Sequence, residues 1–154
     1  MDEILQHDDD LRQRQEWMAV LATASADAIE SVWEAIPDRP AWTHLRAPET
    51  GMVMVQAQAG GTGQPFNMGE MTVTRCVVRL GDGGTGHAYV AGRDARHAEL
   101  AAVVDALMQI PERRQEMRRI VIEPLVAMRT EARARVARRT AATKVDFFTM
   151  VRGD

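Results

Sequence analysis

The stretch from Gly60 to Leu80 places the strongest constraint on the fold, because a glycine-dense loop runs there directly into a long strand-like segment. Glycines at this density cost backbone entropy, so they are expected where the chain needs positive φ or where another backbone or a ligand comes close. From Met71 onward the alternation of side chains predicts a β-strand. One face of this strand would carry Thr72, Thr74, Cys76, Val78 and Leu80, and the other Met71, Val73, Arg75, Val77 and Arg79. Since the second face mixes arginines with apolar side chains, we expect it to be covered.

The glycine-rich segments lack the context of a nucleotide-binding motif. Residues Gly81–Gly86 match the dinucleotide pattern G-x-G-x-x-G by letter. That pattern binds a pyrophosphate at a helix N-terminus, whereas the residues after Gly86 alternate as a strand does. The loop Gly60–Gly63 is not followed by the Gly-Lys-Ser/Thr of a phosphate-binding P-loop. We therefore interpret Gly81–Gly84 as a hairpin turn between antiparallel strands.

The first part of the chain is predicted to form one long amphipathic helix. Asp8 to Asp10 are suitable N-caps, apolar side chains recur after them at helical spacing, and Pro37 ends the pattern. Trp17 and Trp33 are about four and a half turns apart, so they cannot both lie at the centre of one narrow stripe. We expect one tryptophan to face a second element or a partner.

The remaining strands are predicted from alternation and turn residues. A connecting segment after Pro37 leads to a first strand at residues 52–59, and a third strand follows the hairpin turn at residues 86–91. Residues 145–151 hold two of the three phenylalanines and are predicted to form a terminal strand that joins the sheet or is covered by a partner. We therefore expect an α+β fold, with an antiparallel sheet of about four strands packed with a long N-terminal helix and C-terminal helices.

Two or three helices are predicted between the third strand and the terminal strand. Asp94 is a suitable N-cap for a helix that ends at Pro111, and another helix begins just after it. Pro124 should kink this second helix or divide it in two. Residues 112–139 contain nine arginines and four glutamates, so this end of the chain is basic. A solvated helix face with ion pairs and a surface for an anionic partner both explain this charge.

Composition and charge indicate an ordinary globular domain, which we assign to residues 1–154, with a disordered acidic N-terminus at 1–10. The chain has 154 residues, of which 45% are hydrophobic and 27% charged. No apolar run approaches the roughly 20 residues that cross a bilayer, and the N-terminus lacks the features of a secretory signal. From these features we expect a cytoplasmic protein. The net charge of only −3 gives no reason to expect binding to nucleic acid or membrane.

The side chains able to do chemistry do not form a recognisable active site. The single cysteine, Cys76, excludes an internal disulfide and is expected to be buried as a small hydrophobic side chain. The four histidines, His7, His44, His87 and His97, lack the spacing of metal ligands on one face. No Ser/His/Asp grouping has a local signature. Catalytic residues are therefore unassigned, and no metal site is expected.

Polar side chains along the loop, the second strand and the end of the third strand are the candidate contacts with a ligand or another chain. They are Asn67, Glu70, Thr74, Arg75, Arg79, Arg93 and Asp94. Arginine grips carboxylates and phosphates with two parallel hydrogen bonds, so strand arginines beside a glycine loop could hold a phosphate. Ion pairs within the fold or across a subunit contact explain the same residues equally well.

Separated motifs along the chain form a specific pattern when they are read in order. They are residues 14–18 (RQEWM), 45–49 (LRAPE), 51–54 (GMVM), 65–76 (PFNMGEMTVTRC), 86–89 (GHAY), 92–94 (GRD) and 141–148 (AATKVDFF). In this order the chain resembles the PhnG family, a subunit of the bacterial carbon-phosphorus lyase machinery. The resemblance extends over nearly the whole chain and leaves out only the acidic N-terminus.

This resemblance implies a cytoplasmic subunit that works with PhnH, PhnI and PhnJ and with the ATPase-like PhnL. The family is linked to a transferase step in which a phosphonate displaces adenine from ATP, giving ribose 1-methylphosphonate 5-triphosphate. A radical iron-sulfur subunit later cleaves the carbon-phosphorus bond. The nucleosidase chemistry is attributed to PhnI, so no catalytic residue is carried over to this chain. The resemblance thus implies ATP as a co-substrate of the complex and no cofactor bound by this chain alone.

Three roles are compatible with these observations. In the first, the loop, the second strand, the basic helix and the terminal strand pack against partner subunits. In the second, Arg75, Arg93 and the loop amides bind the phosphate or triphosphate of ATP or of the product. In the third, isolated chains form a homodimer through the same surface, as an interaction module without catalysis.

Overall fold

A three-stranded antiparallel sheet and the helices packed on it make up the part of the chain that the structure describes. The structure is a computed structural model, and it describes residues 2–143. The helices are α1 (Asp2–Thr23), α2 (Ala26–Glu34), α3 (Ala95–Met108), α4 (Pro111–Met117) and α5 (Glu123–Ala142), with a π-helical turn at Arg118–Ile122. The strands are β1 (Trp42–Gln58), β2 (Pro65–Leu80) and β3 (Thr85–Ala91), in the spatial order β1-β2-β3. None of the helices in this described range is both long and apolar enough to cross a membrane.

The fold class agrees with the sequence prediction, but the described sheet has three strands instead of about four. The terminal strand expected at 145–151 lies outside the described residues, so it stays a prediction, as does the single domain 1–154. The structure begins α1 at Asp2, which places helix in the acidic segment 1–10 for which the sequence predicts disorder. Acidic residues near a helix N-terminus interact favourably with the helix dipole, which favours helix there.

The prediction of one continuous N-terminal helix is wrong, because the chain ends α1 and begins α2 around Ser25. The Ser25 hydroxyl accepts a hydrogen bond of 3.2 Å from the Ala28 backbone N–H, so Ser25 is the N-cap of α2. A serine that caps a new helix competes with continuation of the old one. The break lets Trp17 and Trp33 both be buried, and Trp33 packs edge-on against Trp42 of β1.

β1 is longer than predicted, since it begins at Trp42 and includes the segment expected to be a connection. Pro48 makes this segment look unlike a strand. β1 is an edge strand, however, and edge strands tolerate proline. The ladder with β2 shifts register twice between His44 and Glu49, and these irregularities accommodate Pro48. The predicted start of this strand is therefore wrong, whereas its predicted end is within one residue.

β2 and β3 form the predicted antiparallel hairpin, with Cys76 opposite Ala88. β2 begins earlier than predicted, at Pro65, so the end of the glycine-rich segment is already strand. From Thr74 to Leu80 every second side chain is buried, and both arginines between them are exposed. The predicted division of this strand into two faces is confirmed over these residues.

α3 lies at the centre of the core. Asp94 caps it as predicted, because its carboxylate accepts a hydrogen bond of 2.8 Å from the His97 backbone N–H. α3 packs against all three strands and against α1 and α2, and residues 100–108 are all buried. A Cβ atom at Gly86 would lie 1.9 Å from the Ala102 carbonyl oxygen. Glycine at this position therefore lets β3 and α3 approach closely.

The last helix is divided near Pro124, as predicted, through the π-helical turn at Arg118–Ile122. Proline lacks the N–H that an α-helical ladder needs, and its ring clashes with the carbonyl group four residues earlier. The wider i to i+5 spacing of a π turn relieves this mismatch. Val121 and Leu125 are buried, so both parts of the helix stay packed on the core.

Candidate functional site

The most prominent exposed feature of the sheet is a two-stranded arm, formed by residues 51–72 of β1, β2 and their connection. β3 pairs with β2 only from Val73 to Arg79, so within the described residues the arm has no third strand. Five of its large apolar side chains are exposed, namely Met52 by 68%, Met54 by 55%, Phe66 by 47%, Met68 by 66% and Met71 by 40%. A two-stranded hairpin is marginally stable alone in water, and exposed apolar patches mark contact surfaces. The arm is therefore the first candidate for a contact with another chain.

The glycine-rich loop lies at the tip of the arm, far from the strand arginines. Gly60 and Gly61 have φ angles of 60° and 78°, in the left-handed region that glycine adopts without strain, so they serve the turn. Arg75 is ten residues along β2 from Pro65, which corresponds to about 33 Å at a rise of about 3.3 Å per residue. One phosphate cannot contact both the loop amides and Arg75, so the second role cannot use them together.

A β-bulge in the arm sets the position of Asn67. The register shifts between Val55 and Gln56, which leaves Met68 as the extra residue on β2. Asn67 lies opposite Gln56, and the Gln56 side-chain amide donates a hydrogen bond of 3.4 Å to the Asn67 side-chain oxygen. Asn67 is thus held by a neighbouring side chain within the arm.

Strand alternation places the other candidates of β2 on two different faces of the sheet. Glu70 and Thr74 lie on the face of the buried Cys76. Arg75 and Arg79 lie on the opposite face and are exposed. The candidate residues therefore do not converge on a single ligand position.

Arg75 belongs to an ion-pair cluster on the exposed face of the sheet. Arg75 Nε donates a short hydrogen bond to Glu49 Oε1, and Arg46 Nη1 donates one of 2.6 Å to the same oxygen. The hydrogen bonds from Arg46 and then Arg75 hold the pKa of the Glu49 carboxyl below its usual range. Tyr89 and then Glu49 raise the pKa of the Arg75 guanidinium. In the isolated chain Arg75 therefore contacts protein.

Thr74 and Asp94 hold the connection from β3 to α3, on which Arg93 is exposed. The buried Thr74 hydroxyl donates a hydrogen bond of 2.7 Å to the Gly92 carbonyl oxygen, and Asp94 caps α3. Within residues 8–143, no ion pair joins Arg79 or Arg93 to an acidic side chain. Among the candidate residues, these two arginines are the ones whose positive charge is available to an anionic ligand.

Asp105 of α3 is a buried carboxylate that the sequence analysis does not single out. Its Oδ2 accepts hydrogen bonds of 2.8 Å from Arg14 Nη2 and 2.9 Å from the His87 backbone N–H. Its Oδ1 accepts one of 2.9 Å from the Trp17 indole N–H. The available signal is one acidic residue within the apolar run 100–108. Because these bonds join α1, β3 and α3, Asp105 positions elements of the core.

The described side chains include few groups for metal or covalent chemistry. Among them, no three His, Cys, Asp or Glu side chains lie close enough together to hold a metal ion. Burial, with a smaller contribution from the charge of Glu99, raises the pKa of the Cys76 thiol to about 11. Cys76 is therefore buried as predicted and is a poor nucleophile at neutral pH.

Comparisons with known proteins agree with the resemblance seen in the sequence motifs. The family model described as Phosphonate metabolism protein PhnG matches residues 12–153. A protein of Rhizobium meliloti (strain 1021) is 47% identical over 143 residues, which are 92% of this chain and 90% of the relative. That relative is named Alpha-D-ribose 1-methylphosphonate 5-triphosphate synthase subunit PhnG.

Proposed function

Since this chain belongs to the PhnG family of phosphonate metabolism proteins, we propose that it is a subunit of a ribose 1-methylphosphonate 5-triphosphate synthase complex. The observation that carries this proposal is the 47% identity to a protein named as such a subunit. The similarity covers 92% of this chain and 90% of the relative, so it includes the arm as well as the helical core. The function is therefore assigned to the whole chain and not to one segment of it.

The proposed complex transfers the ribosyl triphosphate part of ATP from adenine to methylphosphonate. A phosphonate oxygen forms a bond to the anomeric carbon of the ribose, and the bond from that carbon to the adenine nitrogen breaks. ATP is thus a co-substrate of the complex, and this chain alone binds no cofactor. Cys76 is buried and Asp105 is held by core hydrogen bonds, so neither side chain is free to react with a substrate. We therefore infer that this chain contributes by supporting the other subunits.

Three described surfaces of the chain are proposed to pack against PhnH, PhnI, PhnJ and PhnL-like subunits. They are the arm at 51–72, the exposed sheet face with Arg75 and Arg79, and the second half of α5. The exposed methionines of the arm and the exposed arginines of the other two surfaces support this proposal. Residues 145–151 would supply a fourth surface. The complex is expected to be cytoplasmic and to bind neither nucleic acid nor membrane.

Co-purification with co-expressed partner subunits tests the subunit role. The tagged chain should retain its partners through gel filtration, and release of adenine from ATP with methylphosphonate should require it. Arg75→Ala and deletion of 145–151 should each weaken retention, whereas Arg12→Ala, at an exposed arginine on α1, should not. Full retention by both altered chains would exclude these two surfaces. Full synthase activity without the chain would exclude the subunit role.

Direct contact with the phosphates of ATP or of the product is a second candidate function. It is favoured by the exposed Arg79 and Arg93, which have no acidic partner within residues 8–143. Arg79 and Arg93 lie near opposite ends of the β2–β3 ladder, so each is tested as a separate site. Calorimetric titration of the isolated protein with ATP and with methylphosphonate should give heat that is lost in one of the single variants Arg79→Ala and Arg93→Ala and retained in the other. No heat at millimolar ligand would contradict an autonomous site. Sedimentation of the isolated protein tests the homodimer.

A further inference from the structure

The outer edge of β1 presents backbone groups that no described strand pairs with, since β1 is an edge strand of the sheet. The Thr72 carbonyl oxygen of β2 accepts a hydrogen bond of 2.9 Å from the Gly92 N–H, so its backbone groups point to the β3 side. In an antiparallel ladder the N–H and C=O of one residue point to the same side, and those of its neighbours point to the other. Met52, which lies opposite Thr72, therefore points its N–H and C=O away from β2.

The same alternation extends along the arm. Thr50 and Met54 occupy the same position in the alternation as Met52, because no register shift separates these three residues. Their N–H and C=O groups also point to the free edge, whereas those of Val53 point to β2. A row of three residues on β1 thus offers donors and acceptors to an additional strand.

On β1 itself this stretch of edge lacks the features that protect free edges in other proteins, which are charges, prolines and bulges, because the bulge in the arm adds its extra residue to β2. Residues 50–58 (TGMVMVQAQ) contain no charged residue and no proline. The earlier part of β1 contains Pro48 and two register shifts. At the other edge of the sheet, the His87 N–H is bound by Asp105 and α1 packs against β3. Of the two outer edges of the sheet, the unprotected part is therefore residues 50–58 of β1, nearly all of which belong to the arm.

We propose that residues 50–56 of β1 bind an extended β-strand of low charge from another subunit of the synthase complex. This inference rests on the proposed function, which supplies the partner subunit. Strand addition would pair the outward N–H and C=O groups and give the arm a third strand. A charged strand would have to desolvate its charges beside Met52 and Met54, so an uncharged and partly apolar strand matches this edge.

Two substitutions at Met54 separate strand addition from side-chain contact. Met54→Pro removes the outward N–H without removing a hydrogen bond to β2, whereas Met54→Thr keeps the N–H and removes the thioether. The Kd for the co-purified partner subunits, measured by biolayer interferometry, should rise by about tenfold or more for Met54→Pro and by less than about threefold for Met54→Thr. An unchanged Kd for Met54→Pro, or equal losses in both variants, would overturn the proposal.

Residue-resolved amide hydrogen exchange of the unmodified protein gives a second test that does not depend on how the proline variant folds. Binding of the partner subunits should slow exchange at Thr50, Met52 and Met54, and exchange at Val53, which already bonds to β2, should change least. Unchanged exchange at all three outward residues would overturn strand addition.

The isolated protein distinguishes the other possible occupants of this edge. Slow exchange at Thr50, Met52 and Met54 in an isolated monomer would assign the edge to residues 144–154 of the same chain. Slow exchange in a species that sediments as a dimer would assign it to a second copy. Either result would overturn the choice of another subunit. If the unmodified protein binds no subunit, the proposed function fails, whereas binding without protection of the edge contradicts strand addition alone.

Discussion

At the level of single residues, Asp105 shows how one buried carboxylate determines the arrangement of three elements. Asp105→Ala would leave the buried Trp17 indole N–H and the His87 backbone N–H without their acceptor, and Arg14 without its ion-pair partner. We expect the free energy of unfolding to fall by about 3–5 kcal/mol, as when one partner of a buried pair is removed. Urea denaturation followed by tryptophan fluorescence measures this change.

Two further variants control for the Asp105 prediction. Asp105→Asn keeps one acceptor oxygen and nearly the same shape, so it should cost less than Asp105→Ala. Glu34→Ala, at an exposed position on α2, should change the free energy of unfolding by about 0.5 kcal/mol or less. A loss below about 1 kcal/mol for Asp105→Ala would show that the elements hold their positions without this carboxylate.

The buried thiol of Cys76 gives a prediction about reactivity. With the pKa of this thiol raised to about 11, very little thiolate exists in the folded protein at pH 8. A disulfide reagent such as Ellman's reagent should therefore react about 200-fold more slowly with the folded protein than with the protein in urea. Absorbance of the released thiolate measures both rates. Equal rates would show that Cys76 is accessible in the native state.

The same shift in pKa predicts a dependence of stability on pH. The folded state binds the Cys76 proton more tightly than the unfolded state, whose thiol has a pKa of about 8.5. The stabilising contribution is therefore complete below about pH 8.5 and is lost as the pH rises toward the folded pKa of about 11. Urea denaturation between these pH values should show this loss in the unmodified protein and less of it in Cys76→Ala.

The role of a residue can be predicted from the sequence when it depends only on residues nearby along the chain. Asp94 is predictable as a helix cap because it needs only the N–H of His97, and Cys76 is predictable as buried because strand alternation is local. The role of Asp105 is not predictable in this way, because its partners Trp17 and His87 are 88 and 18 residues away along the chain. Such pairings exist only after α1 and β3 have packed on α3.

At the level of elements, the errors in the sequence predictions fall where two local signals compete. Ser25 is compatible both with a continuing helix and with the cap of a new one, and packing of both tryptophans on the core favours the second. Pro48 argues against a strand unless that strand lies at the edge of the sheet. The sequence near Pro48 does not show that β1 is an edge strand, because the order of strands in a sheet is not a local property. The division at Pro124 was predicted because proline excludes a regular α-helix whatever surrounds it.

Contact between β3 and α3 gives a prediction about element packing. Gly86→Ala would place a Cβ atom 1.9 Å from the Ala102 carbonyl oxygen and 2.6 Å from the Ala106 nitrogen, so strand and helix would have to separate. We expect the free energy of unfolding to fall by about 3 kcal/mol, measured by urea denaturation. Gly51→Ala is the matched control, because a Cβ there meets nothing within 4 Å. Equal stability of the two variants would contradict the close approach of β3 and α3.

At the level of the whole molecule, burial is concentrated around α3 and exposure is concentrated on the arm and the second half of α5. The sequence predicts that one face of β2 is covered, on the strength of Arg75 and Arg79. In the structure Arg75 pairs with Glu49, and the exposed methionines lie further along the same hairpin. The exposed apolar side chains therefore favour the arm over the arginine face as the contact surface, and the contact itself stays a prediction. The arm can be told apart from the arginine face only from the pairing of β1 with β2, which joins residues far apart in sequence.

The second half of α5 gives a prediction about assembly. Every residue from Arg133 to Ala142 is exposed, so this half of α5 packs no face on the described core and gains little stability from packing. We therefore expect the arginines of this segment to dock on an acidic surface of a partner subunit, because attraction between opposite charges accelerates association. The association rate constant, measured by stopped-flow fluorescence, should fall by about tenfold as the ionic strength rises from about 0.05 M to 0.5 M.

Charge reversal on α5 identifies the arginines responsible for this salt dependence. The double variant Arg138→Glu, Arg139→Glu should associate slowly at low salt and lose most of the salt dependence, because the attraction to an acidic partner is removed. Arg12→Glu, at an exposed arginine on α1, should associate as the unmodified protein does. An unchanged rate for the double variant would mean that these arginines form a solvated helix face. In that case the other proposed surfaces, which are the arm, the exposed sheet face and residues 145–151, would have to supply the contact.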